Sequence, residues 1–352
     1  MERKKREVQY DYLRVVAVIA IIMVHSIPAE TSNGKQWLFS SALEPVLLSF
    51  VGIYFMLSGL FILDHGTERI LDFYKKRLFA IVVPFACYSG IYYFYYKVYL
   101  GQYHLSAWEH IKNWLYGWFT DTTPMAPHMW FMYVILAFYL CAPFLARMLR
   151  ALSDKELKLF LIIMLVVQGL FVYLPALGIL AEGFLQSLIF KGWLVYFLLG
   201  YILKRLYRNS RYLTFAAVGI AGFALTMVQK CFIPSFAPGI HDLAPTMIAM
   251  ASAIFMFFEC YGNGSIPGIT RFCSFISRHS YSVYLIHYLV LGQVSMTMIE
   301  KTFLRHFYVP KILSLTVLTF FISLAFAWFF DDMILKLLTK VLSAVWKRKR
   351  KE

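Results

Sequence analysis

The feature that most limits what this chain can become is the recurrence, from one end to the other, of apolar runs of about twenty residues. A helix rises about 1.5 Å per residue, so roughly 20 apolar residues cross the ~30 Å hydrocarbon core of a bilayer. Ten such runs are legible, at about 10–29, 41–63, 78–97, 128–147, 159–177, 187–204, 212–231, 243–261, 280–298 and 311–335. An open sheet leaves backbone groups unpaired in lipid, and these runs are too long and too evenly apolar for the alternating strands of a barrel. The expected fold is an all-α polytopic transmembrane helical bundle, a single membrane domain over 1–352, without internal repeat, low-complexity tract or soluble domain. Composition agrees. Hydrophobic residues make up 60% and charged residues 15%, against about 45–50% and about 25% in soluble domains. Met1 to Arg6 is basic and precedes an apolar stretch, the layout of a signal peptide. No clear small-x-small cleavage site follows, so an uncleaved first span is expected.

A net charge of +15 raises the question of nucleic acid. The basic residues fall in short clusters between the apolar runs, which is a topology signal rather than a nucleic-acid surface. With the N-terminus placed in the cytoplasm, 25 of the 34 Lys and Arg lie on the cytoplasmic side and eight on the outer side, with Arg14 inside the membrane. That bias predicts both termini inside and an even number of spans. The five cysteines have no paired spacing and are expected as buried structural thiols. The longest outer loop, about 98–127, holds Tyr99, Tyr103, Trp108, Trp114, Tyr116 and Trp118. It reads either as an interfacial aromatic belt or as a ledge on which sugar rings stack.

Ionisable groups inside hydrocarbon are costly and mark function. In the first span Arg14 and His25 are eleven residues apart, about three turns, so they share a face with a rise of roughly 16 Å. A neutral imidazole at His25 suits the acceptance of a proton from an attacking hydroxyl. The bland alternative is a histidine bonded to a neighbouring helix. Ser58 and Gly59 in the second span are small residues of the kind that let helices approach closely. Lys75, Lys76 and Arg77 precede Pro84 and form either a topology determinant or a phosphate clamp. His287 is expected about two turns inside the ninth span from its cytoplasmic end. Glu259, Asp331 and Asp332 are either half-buried partners of basic residues or interfacial charges. His104, Glu109 and His110 match no zinc spacing, so no metal site is expected.

Taken in order, these stretches resemble the acyltransferase 3 family of bacterial membrane O-acyltransferases. The family's Asp-x-x-Arg followed eleven residues later by His corresponds to Asp11, Arg14 and His25. Its aromatic-x-x-Ser-Gly corresponds to Phe55, Ser58 and Gly59, and its basic loop leading to Pro to Lys76, Arg77 and Pro84. Its Trp-Phe corresponds to Trp130 and Phe131, and its Ser…Tyr-Leu-x-His to Ser282, Tyr284, Leu285 and His287. Many members carry a second arginine three residues after the first in the basic loop, where this chain has Ala80.

The resemblance implies a multi-pass enzyme of the bacterial plasma membrane. It would move an acyl group, acetyl before others, from cytoplasmic acyl-CoA to a hydroxyl of a surface glycan or its lipid-linked precursor. His25 would be catalytic, Arg14, Lys76, Arg77 and His287 would bind the donor, and Asp11, Ser58, Trp130, Ser282 and Tyr284 would support them. Acyl-CoA, the glycan acceptor and membrane lipids are the expected partners, nucleic acid is not, and no cofactor is permanently bound. The competing expectations are a small-molecule or amino-acid transporter or flippase of the same fold, since intramembrane Arg and His also suit substrate passage, and a non-catalytic polysaccharide export subunit.

Overall fold

The structure is a computed structural model that describes residues 6–28, 34–64, 69–101, 103–120, 126–179, 190–208, 211–232 and 242–348. Among the described residues all regular structure is helical. The helices are α1 (Val8–Ser26), α2 (Gly34–Leu63), α3 (Ile70–Leu100), α4 (Ala107–Thr120), α5 (Pro127–Ala151), α6 (Asp154–Ala176), α7 (Trp193–Tyr207), α8 (Tyr212–Phe232), α9 (Pro245–Tyr261), α10 (Pro267–Ile299) and α11 (Tyr308–Ala344). All but α4 correspond one to one with the ten apolar runs. Eight are long and apolar enough to cross a membrane, while α7, with 15 residues, and α9, with 17, are shorter.

Several helices begin well before the apolar run that announced them. Helix α10 starts at Pro267 instead of 280, α3 at Ile70 instead of 78, and α2 at Gly34 instead of 41. Hydropathy sees only the part at membrane depth, whereas polar turns at either end continue the same backbone hydrogen bonding. The N-terminal end of the 187–204 run (187–189) and residue 29 of the first lie outside the described residues, as do the basic residues Arg3, Lys4, Lys5, Lys349, Arg350 and Lys351.

Local chemistry sets the boundaries. At the start of α6, Ser153 Oγ and the Glu156 carboxylate cap each other's backbone, with Ser153 N donating to Glu156 Oε2 at 2.7 Å. Ser106 and Glu109 repeat that arrangement at the start of α4. Pro245 and Pro267 occupy first helical positions, where no amide donor is needed. Wide helical turns at Leu78–Val82, just ahead of Pro84, and at Asp331–Leu335 interrupt α3 and α11. Such bulges often sit beside functional groups.

The chain forms two units, one of residues 1–68 and 141–277 and the other of 69–140 and 278–352. In the first, α2 packs on α7 and α8 on α9. The α2–α7 crossing has no room for side chains. A Cβ on Gly59 would lie 1.6 Å from the Phe197 carbonyl oxygen, and one on Gly200 would lie 2.1 Å from that of Met56. Glu259 resolves as a buried partner, taking the Tyr10 hydroxyl at 2.5 Å and lying 3.5 Å from Arg208 Nε.

In the second unit, Tyr92 and Tyr281 of α3 and α10 tie these helices together, Tyr281 donating to the Ile81 carbonyl at 2.9 Å and Tyr92 accepting from Leu289 N at 3.0 Å. Helix α4 corrects the reading of 98–127 as a plain loop. Trp114 and Trp118 both donate from Nε1 to Ser89 Oγ at 3.1 Å, fixing α4 to α3, while Trp108, Tyr116 and Phe119 face outwards. An amphipathic helix of this kind lies in a membrane interface. The cysteines are unpaired, but none is fully buried as expected: Cys87, Cys260 and Cys273 are half-buried and Cys141 and Cys231 exposed; in a chain that spans a bilayer, lipid covers such apolar-surface thiols as well as a core does.

Candidate functional site

In the first unit the site is built on α1. The helix is regular from Val8 to Ser26, so the eleven-residue interval between Arg14 and His25 keeps both on one face. Asp11 is the anchor at its start. Arg6 Nε donates to Asp11 Oδ2 at 2.6 Å and Arg6 Nη2 to Oδ1 at 2.9 Å, a bidentate pair. Ser274 and Ser277 of α10 donate to the same carboxylate at 2.9 and 2.7 Å. Asp11 therefore serves as a hub that fixes α1 against the start of α10. Arg14 is half-buried, its guanidinium 4.5 Å from the centroid of the Phe61 ring, with Ser277 Oγ 3.5 Å from Nη1. His25 lies near the other end of the helix with its ring accessible. Ser58 is half-buried on α2 beside the glycine crossing, and Phe55, one turn earlier, packs in a tilted arrangement on Trp193 at 5.1 Å.

The second unit gathers the other expected residues into three places. The first is α3, where Lys76 points to solvent and Arg77 lies half-buried, its guanidinium 5.3 Å from the Phe73 ring and 5.6 Å from that of Tyr139. The second is an aromatic cluster between α5 and α10. Tyr284 donates to the His128 carbonyl, His128 Nε2 to the Leu285 carbonyl at 3.1 Å, and His287 Nδ1 to the Tyr284 carbonyl at 2.6 Å. A carbonyl accepts only, so these bonds place a proton on Nε2 of His128 and on Nδ1 of His287. The two rings are 4.8 Å apart. Phe131 packs edge-on against Tyr284 at 5.5 Å, and Trp130, half-buried, against Phe131 at 6.3 Å.

The third place joins α10 to α11. Asp331 accepts from Ser282 Oγ at 2.7 Å and lies 2.9 Å from His279 Nδ1. That settles Asp331 as a partner of buried groups, whereas Asp332 pairs with the exposed Lys336 at 2.7 Å. His128 and His279 are members that sequence reasoning missed. His279 lies three residues before Ser282, one helical turn away on the same face. His128 sits beside the Trp130–Phe131 pair that was recognised.

Helix α10 begins at Pro267, so His287 lies twenty residues into it, while it stays about two turns inside the apolar run that opens near 280. It is fully buried, at 0% exposure. Among the described residues no cluster of three His, Cys, Asp or Glu is placed to hold a metal ion.

Comparison with known proteins agrees with the ordered stretches. Residues 7–328 match the acyltransferase 3 family, described as an acyltransferase domain. No curated protein and no solved structure matches the chain.

Proposed function

Because the chain belongs to the acyltransferase 3 family, we propose that it moves an acyl group, acetyl in the first instance, from cytoplasmic acyl-CoA to a hydroxyl of a cell-surface glycan or its lipid-linked precursor. It is a multi-pass membrane protein and an acyltransferase; donor, acceptor and roles are the proposal. The observation that carries it is the arrangement along α1, with a cation held half-buried at one level and an accessible imidazole eleven residues further on.

In this reading His25 takes the proton of the acceptor hydroxyl as its oxygen attacks the thioester carbonyl. The new C–O bond forms, the C–S bond breaks, and the CoA thiolate leaves and is protonated. Arg14, Lys76 and Arg77 offer cationic contacts to the donor phosphates from the cytoplasmic side. His287, sealed among Tyr284, His128 and Tyr288, acts on the donor side through what it positions rather than by touching the substrate. Asp11 holds α1 in place, and Ser282 and Tyr284 hold α10.

The test uses the purified full-length chain in liposomes with acyl-labelled acetyl-CoA and a glycan acceptor. Label on the glycan, as a base-labile ester, supports the proposal. Flux of a small substrate across the liposome wall without label transfer overturns it in favour of a transporter.

A further inference from the structure

Helices α3 and α5 of the second unit enclose a groove of about 680 Å³, inside the roughly 300–1,000 Å³ of ligand pockets. Its walls are chiefly Leu71, Leu78, Val82, Leu136, Ala137 and Leu140. Leu71 and Leu140 at its lip are 76% and 66% exposed. Leu140 lies within the apolar run of α5, where a leucine exposed to that degree in a chain that spans a bilayer meets lipid, so the groove opens to the membrane.

The same groove is lined by Lys75 and Arg77. Arg77 is held over the Phe73 and Tyr139 rings, and its Nε is buried with no hydrogen-bond partner among the described residues. A buried cationic donor left unmade is costly, and a phosphate oxygen is the acceptor that relieves it best. Asp72 also lines the groove, so its lining carries two cations against one carboxylate and the balance is cationic.

We propose that this groove binds an anionic phospholipid of the surrounding bilayer, one acyl chain lying between α3 and α5 and the phosphate on Arg77 Nε and Lys75. The acyl-transfer reading does not require it. An alkyl chain needs no hydrogen-bond partners and suits leucine walls, whereas the arm of CoA would strand its amides there. A guanidinium carries five N–H groups in a fork, so a lipid phosphate on the Nε edge leaves the terminal amines to the donor. A zwitterionic lipid offers the same chain but adds an ammonium beside two basic side chains.

The experiment places the full-length protein in vesicles containing photoactivatable phosphatidylglycerol or phosphatidylcholine with identical chains, and maps the crosslinks by mass spectrometry. Phosphatidylglycerol is expected to label residues 71–82 and 133–140 about fivefold or more over phosphatidylcholine, the scale of one basic residue near a membrane surface. Ala137→Trp, which fills the groove from an exposed position, should remove most of that labelling, and Lys75→Ala should reduce it by about fivefold. Equal labelling by the two lipids, labelling spread evenly over other lipid-facing helices, or full displacement by excess acetyl-CoA would each overturn the proposal, the last by making the groove part of the donor site.

Discussion

Replacing Gly59 by alanine tests the tightest approach at any glycine among the described residues. The new Cβ would sit 1.6 Å from the Phe197 carbonyl oxygen, while an ordinary C···O contact lies at about 3.3–3.6 Å. Both partners are helix backbone, so no side chain can rotate away. The α2–α7 crossing must open by roughly 1.5–2 Å, which places the cost at the upper end of the usual overpacking range, about 3 kcal/mol. Gly200→Ala meets the Met56 carbonyl oxygen at 2.1 Å and should cost about 2–3 kcal/mol. The two clashes are relieved by the same movement. The double variant should therefore lose about 3–4 kcal/mol instead of the sum, a coupling of roughly 1–3 kcal/mol. Unfolding in mixed micelles by titration with dodecyl sulfate, followed by circular dichroism, measures all three. A Gly59→Ala protein within about 0.5 kcal/mol of wild type, or losses that simply add, would refute the geometry.

Arg77→Ala should weaken acyl-CoA binding by about 1.5–3 kcal/mol, and Arg77→Lys should recover only part of it because an ammonium offers no planar fork over Phe73 and Tyr139; calorimetric titration with an unchanged affinity would leave the cluster a topology determinant alone. Burial, with a smaller contribution from the charge of Glu44, pushes the Asp242 carboxyl up to about 7, and its Oδ1 has no hydrogen-bond partner among the described residues. Raised above its unfolded value near 4, this group is neutral at no cost below pH ~4 and destabilises progressively as pH rises to ~7, by a few kcal/mol. Wild type should thus lose thermal stability between pH 5 and pH 8 relative to Asp242→Asn, and parallel profiles would contradict the assignment. For topology, in a background lacking the native cysteines, Lys112→Cys on α4 should react with an impermeant thiol reagent in intact cells while a cysteine appended to the C-terminus should not; the reverse pattern would place the donor contacts on the wrong side.

The helices were legible because a chain that crosses lipid carries long apolar runs, written into consecutive residues; eight of the ten are long and apolar enough to span, while α7 and α9 are shorter. Helix α4 was hidden because it crosses nothing. Its signals were the Ser106–Glu109 capping box and tryptophans at 114 and 118, one helical turn apart, inside what reads as an aromatic loop. The α1 elements were legible because helical spacing alone puts Arg14 and His25 on one face, whereas the role of Asp11 depends on Ser274 and Ser277, more than 260 residues away. Asp331 could not be decided from sequence for the same reason, since its partners His279 and Ser282 lie about fifty residues upstream on another helix. The start of α10 was read too late because the polar turns from Pro267 to His279 carry little hydropathy signal yet are helical.

The central claim, that His25 is the base, is tested most directly by His25→Gln in the purified protein, with acyl transfer and acyl-CoA affinity measured on the same preparation. Glutamine keeps a hydrogen-bonding group at the accessible end of α1 but cannot take a proton from the acceptor. Acyl transfer should fall by roughly 10²–10⁴-fold while donor affinity stays within about twofold, well under the effect of losing a charged contact. A His25→Gln protein that turns over near the wild-type rate would make His25 a structural histidine and contradict the mechanism.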